Sequence, residues 1–171
     1  MDSGTAAVFG ALIGTAGSTA AALAAGVFAR AQTRAQIASA RVQWRLDNRR
    51  QAYQELIASA RSFENAWWEL GHALSLERDG EEVFARIVQL YPGLTASEAG
   101  VQILGPPPAA DAAREVIKHL SEMDTAGTGW YQATNKVDST RECDRFWALH
   151  AASGGKIAAF WTAARDALEE R

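Results

Sequence analysis

The sequence predicts an all-α fold: an N-terminal transmembrane helix that continues into a long helix, with an antiparallel helical bundle behind it. Three observations carry this. Residues from Ser3 to Ala29 contain no charged side chain, and Arg30 opens a group of six arginines that ends at Arg50. No proline occurs before Pro92, and Gly71 is the only glycine between Gly26 and Gly80. No segment of useful length alternates apolar and polar residues as a strand would.

The first element is the charge-free run. At a rise of about 1.5 Å per residue it reaches about 40 Å, and about 20 apolar residues cross a hydrocarbon core of about 30 Å. Its hydrophobicity is modest, because only Val8, Phe9, Leu12, Ile13, Leu23, Val27 and Phe28 are larger apolar residues. These supply about −2 to −4 kcal/mol of insertion free energy, which glycine, serine and threonine partly offset. Nothing larger than threonine occurs from Gly14 to Ala22. Every fourth position is small: Ala6, Gly10, Gly14, Ser18, Ala22 and Gly26. That spacing draws one stripe along a helix, and small residues on a stripe let two helix backbones approach closely in lipid. The expectation is a helix-packing surface, most simply for a second copy of the chain. Three plainer readings compete. A cleaved signal peptide needs a basic segment in front of its apolar stretch, whereas Met1-Asp2 precede this one and the arginines follow it. The others are a soluble alanine-rich helix and a monomeric anchor.

Charge sets the orientation. Residues 30–50 hold six arginines and one acid, Asp47, for a net +5. Basic residues stay on the cytoplasmic side, so the N-terminus is expected outside and the rest in the cytosol, on a single-pass protein of the cell inner membrane. Arg30, Arg34, Arg41 and Arg45 are candidates for contact with anionic lipid headgroups, at about 1 kcal/mol each close to the surface. Residues 51–171 carry 11 basic and 18 acidic side chains, a net −7, which argues against nucleic acid as a partner. The expected organisation is 1–29 transmembrane helix, 30–50 basic juxtamembrane helix and 51–171 acidic cytosolic bundle.

One long helix is expected from about Thr5 to Arg78. Its second half shows a seam in steps of three and four, through Tyr53, Leu56, Ala60, Phe63, Trp67, Leu70 and Leu74, the period of left-handed helix packing. A weaker seam, Ala31, Ala35, Ala38, Val42 and Leu46, joins it only through the charged Arg49. Glu81 to Tyr91 reads as a short helix stopped by Pro92-Gly93. Thr95 to Glu98 reads as a capping box that opens another toward Leu104. Gly105 and three prolines break the chain. A helix burying Val116, Leu120 and Met123 follows, which Ala126-Gly127-Thr128-Gly129 is expected to interrupt. The last helix is expected from about Trp130 to Leu168, with Phe146, Ile157, Phe160 and Trp161 inward.

The segments RRQAYQELIASARSF, VQILGPPPAADAAREVIKHL and AAFWTAARDAL, behind a basic post-membrane stretch, carry a resemblance. Together they resemble small single-pass proteins of actinobacteria whose cytosolic part is a helical bundle of unassigned function. The resemblance implies membrane location and an all-α fold, and it supplies no catalytic residue.

No chemistry rises above its plainer reading. Glu69 and His72 form one Glu-x-x-His pair, where a di-iron bundle needs two such pairs and two further glutamates. Glu115 and His119 have the wrong spacing for a second. A lone Cys143 excludes an intrachain disulfide and a zinc cysteine cluster. No catalytic residue, metal or cofactor is expected. The expected function is a non-enzymatic, self-associating membrane scaffold or interaction module, whose bundle offers a surface to a protein partner. The alternative is an oligomeric pore or membrane-disrupting effector lined by Thr15, Ser18 and Thr19.

Overall fold

The computed structural model describes the backbone of residues 3–133 and 136–169, and the side chains of residues 30, 32–133 and 138–169. Among the described residues the fold is helical throughout: α1 Ser3–Ser75, α2 Glu81–Leu104, α3 Pro107–Tyr131 and α4 Lys136–Glu169. The chain divides into two compact units, residues 1–44 and residues 45–171.

The second unit is an antiparallel four-helix bundle, and its cross-helix contacts fix the order. Phe63 and Trp67 of α1 meet Tyr91 and Phe84 of α2, with ring centroids 5.9 and 6.3 Å apart. Toward the start of this stretch of α1, Arg49 Nε donates to the Leu104 carbonyl at 2.7 Å. Tyr91 and Ser121 hydroxyls lie 3.3 Å apart, and Gln102 Nε2 donates to the Ala110 carbonyl at 2.9 Å, so α2 and α3 also run oppositely. Between α3 and α4, His119 Nε2 donates to the Leu149 carbonyl at 2.9 Å. The α4 rings of Phe160 and Phe146 then return to Tyr53 and Trp67 of α1, at 5.9 and 5.7 Å.

The α1 seam is the spine of this core. Tyr53, Leu56, Phe63, Trp67 and Leu70 are all buried, and Leu74 packs half-buried against them. A period of three and four keeps one face inward for the whole stretch. The helix closes with Glu77 in the left-handed region at φ 55. Arg78 N then donates to the Ala73 carbonyl at 2.9 Å and Glu77 N to the Leu74 carbonyl at 3.1 Å. This satisfies two terminal carbonyls, and it places a glutamate where the chain turns. Arg49, the charged residue at the seam junction, is half-buried and holds the last carbonyl of α2. A cation there also complements the negative end of the helix dipole.

Three expectations about breaks are corrected. Pro92 does not stop a helix; it lies inside the continuous α2. Pro92 and Val88, whose carbonyl loses its usual donor, are both exposed, so water can meet that carbonyl. Ile87, Leu94 and Val101 meanwhile keep one buried face running through the proline. Thr95 opens no new helix: its hydroxyl donates back to the Pro92 carbonyl at 3.0 Å. We expect Pro92→Ala to restore the missing bond and raise stability by about 1–2 kcal/mol. A helix-interior proline costs about 3 kcal/mol against alanine, part of which returns through the stiffer unfolded chain. A lower thermal midpoint for the variant would refute this.

Gly127 and Gly129 likewise do not interrupt α3, which runs on to Tyr131. α3 ends at Tyr131 and α4 begins at Lys136, so Trp130 belongs to α3. Within α4, Phe146, Ile157 and Phe160 are buried as expected, whereas Trp161 faces outward with 56% of its surface exposed. Gly154 and Gly155 lie inside the unbroken α4.

Candidate functional site

The stripe Ala6, Gly10, Gly14, Ser18, Ala22 and Gly26 lies outside the residues with described side chains, although its backbone is part of α1. Among the described residues no helix is long and apolar enough to cross a membrane; the charge-free run lies outside the residues with described side chains. Beyond it, Arg30, Arg34 and Arg41 are exposed, as is Arg45 at the start of the second unit. Helical spacing sets Arg30, Arg34 and Arg41 on one face. Among the described residues none of these arginines has an acidic partner, while Asp47 pairs with Arg50 at 3.6 Å. Ile37, Val42 and Trp44 are about half or more exposed on the same segment.

Inside the bundle Glu64, Trp67 and His119 are held by partners from other helices. Glu64, 7% exposed, accepts from Arg61 Nη1 at 2.8 Å and from the Ser153 hydroxyl of α4. Trp67 Nε1 donates to Asp124 Oδ1 of α3 at 3.2 Å. Burial pushes the Asp124 carboxyl up from its ordinary value, and the Trp67 hydrogen bond opposes the rise. Burial also raises Tyr53, against the pull of Arg49. Among the described residues the Tyr53 hydroxyl has no hydrogen-bond partner.

The Asp124 shift has a sign for stability. A carboxyl raised on folding binds its proton more tightly in the folded state. Its contribution is therefore full below the unfolded value and is lost as pH rises through the folded one. We expect Asp124→Asn, which keeps an oxygen for Trp67, to be at least as stable as the parent at neutral pH. The parent should gain on the variant as pH falls into the carboxylate range. Thermal unfolding of both chains across pH checks this; a parent that loses ground on acidification contradicts it.

The residues weighed for chemistry are otherwise engaged. Glu69 pairs with Arg86, and His72 stacks on Trp68 with centroids 4.7 Å apart. Glu115 pairs with Lys156 at 3.3 Å. His150 packs beside Phe146 and Trp147, at 6.0 and 5.6 Å. Burial and the neighbouring Asp144 push the Cys143 thiol up, away from the reactive thiolate. Among the described residues no three His, Cys, Asp or Glu side chains gather as metal ligands would.

Shallow grooves mark the bundle surface among the described residues. One of about 360 Å³ lies between Pro106, Pro108 and the end of α4. A second of the same volume is flanked by Trp68, His72, Leu76 and Val83. A third, of about 240 Å³, runs between α2 and α3 beside Asp124. Sequence reasoning missed Asp124, since nothing near it in the chain signals a partner in α1. The chain matches no protein-family model, no curated protein and no solved structure.

Proposed function

We propose that the protein is a non-enzymatic, membrane-anchored helical protein that self-associates and acts as a scaffold or interaction module at the inner membrane face. The observation that carries this reading is the charge-free run from Ser3 to Ala29, with a small residue at every fourth position and arginines behind it. In lipid, helices gain nothing by hiding apolar surface from water, so close backbone packing across small residues drives their association. The run spans once, with the N-terminus outside and the bundle in the cytosol. Arg30, Arg34, Arg41 and Arg45 lie against anionic headgroups, which supply the acidic partners these side chains lack among the described residues. The exposed Trp68 and Trp161 leave apolar surface on the bundle for a protein partner.

Replacing Gly14 and Ser18 together by leucine tests the assembly. Cross-linking in membranes should yield oligomers from the parent and mainly monomers from the double variant. Equal cross-linking would remove the stripe as the interface. Thr15, Ser18 and Thr19 also support a second reading, because their hydroxyls make the bare centre of the run mildly polar. In that reading several copies line a pore. Liposomes loaded with dye separate the two: leakage at high protein density belongs to the pore, and tight vesicles to the scaffold.

A further inference from the structure

The α2–α3 groove is walled by Phe84, Ile87, Val88 and Tyr91 from α2, and closed by Asp124 and Thr128 from α3. Its volume, about 240 Å³, exceeds the cavity of about 150 Å³ that holds benzene. One ring with a short polar arm fits. Its chemistry is one-sided. No basic side chain lines it. Asp124 is half-buried and, among the described residues, has no cation beside it. A carboxylate on an apolar wall without a counter-charge leaves a strong acceptor unneutralised. Phe84, one face of which stacks on Tyr131 with centroids 4.4 Å apart, and Tyr91 add aromatic carbon surface to this wall. Pro92, also on this wall, gives no N–H to the Val88 carbonyl one turn back, which leaves a further acceptor on that turn. The surrounding acidic bundle, −7 over residues 51–171, raises the local concentration of positive ligands.

We propose that this groove binds small organic cations, with the ammonium group against Asp124 and an apolar ring between the α2 side chains and Thr128. The bound carboxylate then gains the counter-charge it lacks, while the Trp67 hydrogen bond holds it in place.

Benzylammonium is a suitable probe, with benzyl alcohol and benzoate as neutral and anionic controls of the same shape. Full-length protein in a nonionic detergent is titrated with each, and the indole N–H signal of Trp67 is followed by nitrogen-correlated NMR. Loss of one signal in Trp67→Phe assigns it. The expected result is a saturable shift with benzylammonium, at least about tenfold weaker responses to both controls, and the same loss in Asp124→Asn, as expected for a charge-assisted contact. That variant keeps an acceptor for Trp67. A second variant, Val88→Arg, alters an exposed position and sets a tethered guanidinium on the groove; it should abolish the response. Equal titration by benzyl alcohol, unchanged binding to Asp124→Asn or Val88→Arg, or no saturable shift by tens of millimolar (about the weak limit for so few atoms) would each overturn the proposal.

Discussion

Gly127→Ala should lower the stability of the bundle by about 2–3 kcal/mol, although it adds a single methyl group and alanine is the better helix former. A Cβ at residue 127 would stand 2.2 Å from Trp67 Cζ3 and 2.6 Å from both Cε3 and Cη2. Those are rigid ring atoms, and the ring has little freedom to retreat. Phe84 meets it at 6.3 Å and Phe146 at 5.7 Å, and its N–H is tied to Asp124. The backbones of α1 and α3 must separate instead, which loosens contacts along both helices. Urea unfolding followed by circular dichroism gives the test, and an unchanged midpoint would contradict the packing described. A double variant sharpens it. In a Trp67→Leu background the added methyl finds room, so the two costs should fall well short of their sum.

Arg61→Ala should destabilise the bundle more than Glu64→Leu does, the reverse of what a simple count of lost interactions gives. Glu64 is buried, and among the described residues only Arg61 neutralises it. Removing Arg61 leaves a carboxylate facing the apolar interior with the Ser153 hydroxyl as its remaining cross-helix donor. The cost is about 1–2 kcal/mol, at the low end for an orphaned buried group because the Arg61 side chain is itself half-exposed. Glu64→Leu removes the charge altogether and fills similar volume. Ser153 keeps a partner there, since its hydroxyl also lies 2.7 Å from the His150 carbonyl. Replacing a buried ion by an apolar side chain is commonly close to neutral. The pair is read from thermal midpoints, and Arg61→Ala in the Glu64→Leu background should cost almost nothing further.

The parts of this fold that were legible in the sequence are those set by periodicity. Tyr53, Leu56, Phe63, Trp67 and Leu70 repeat in threes and fours, and all five are buried. Local punctuation was less informative. Pro92, Gly127 and Gly129 read as stops because each disfavours a helix in isolation. In the folded chain the buried face of α2 outweighs one missing hydrogen bond. Gly127 serves a different end: it is the gap that admits the Trp67 ring. Trp161 was misplaced because it follows Phe160, and only one of two adjacent helical residues can face the core squarely. The Asp124 contact had no local signature, as its partner is 57 residues away. The membrane-proximal reading has the opposite character. It rests on charge, length and residue size along the chain, which are properties of the sequence itself.

Self-association through the charge-free run is the claim on which the proposed function depends, and particle mass in a mild detergent tests it most directly. Mass photometry should find the parent chain as dimers or larger assemblies, and the Gly14→Leu, Ser18→Leu chain as monomers with an unchanged circular dichroism spectrum. A monomeric parent chain, or a double variant of the same mass as the parent, would contradict the account.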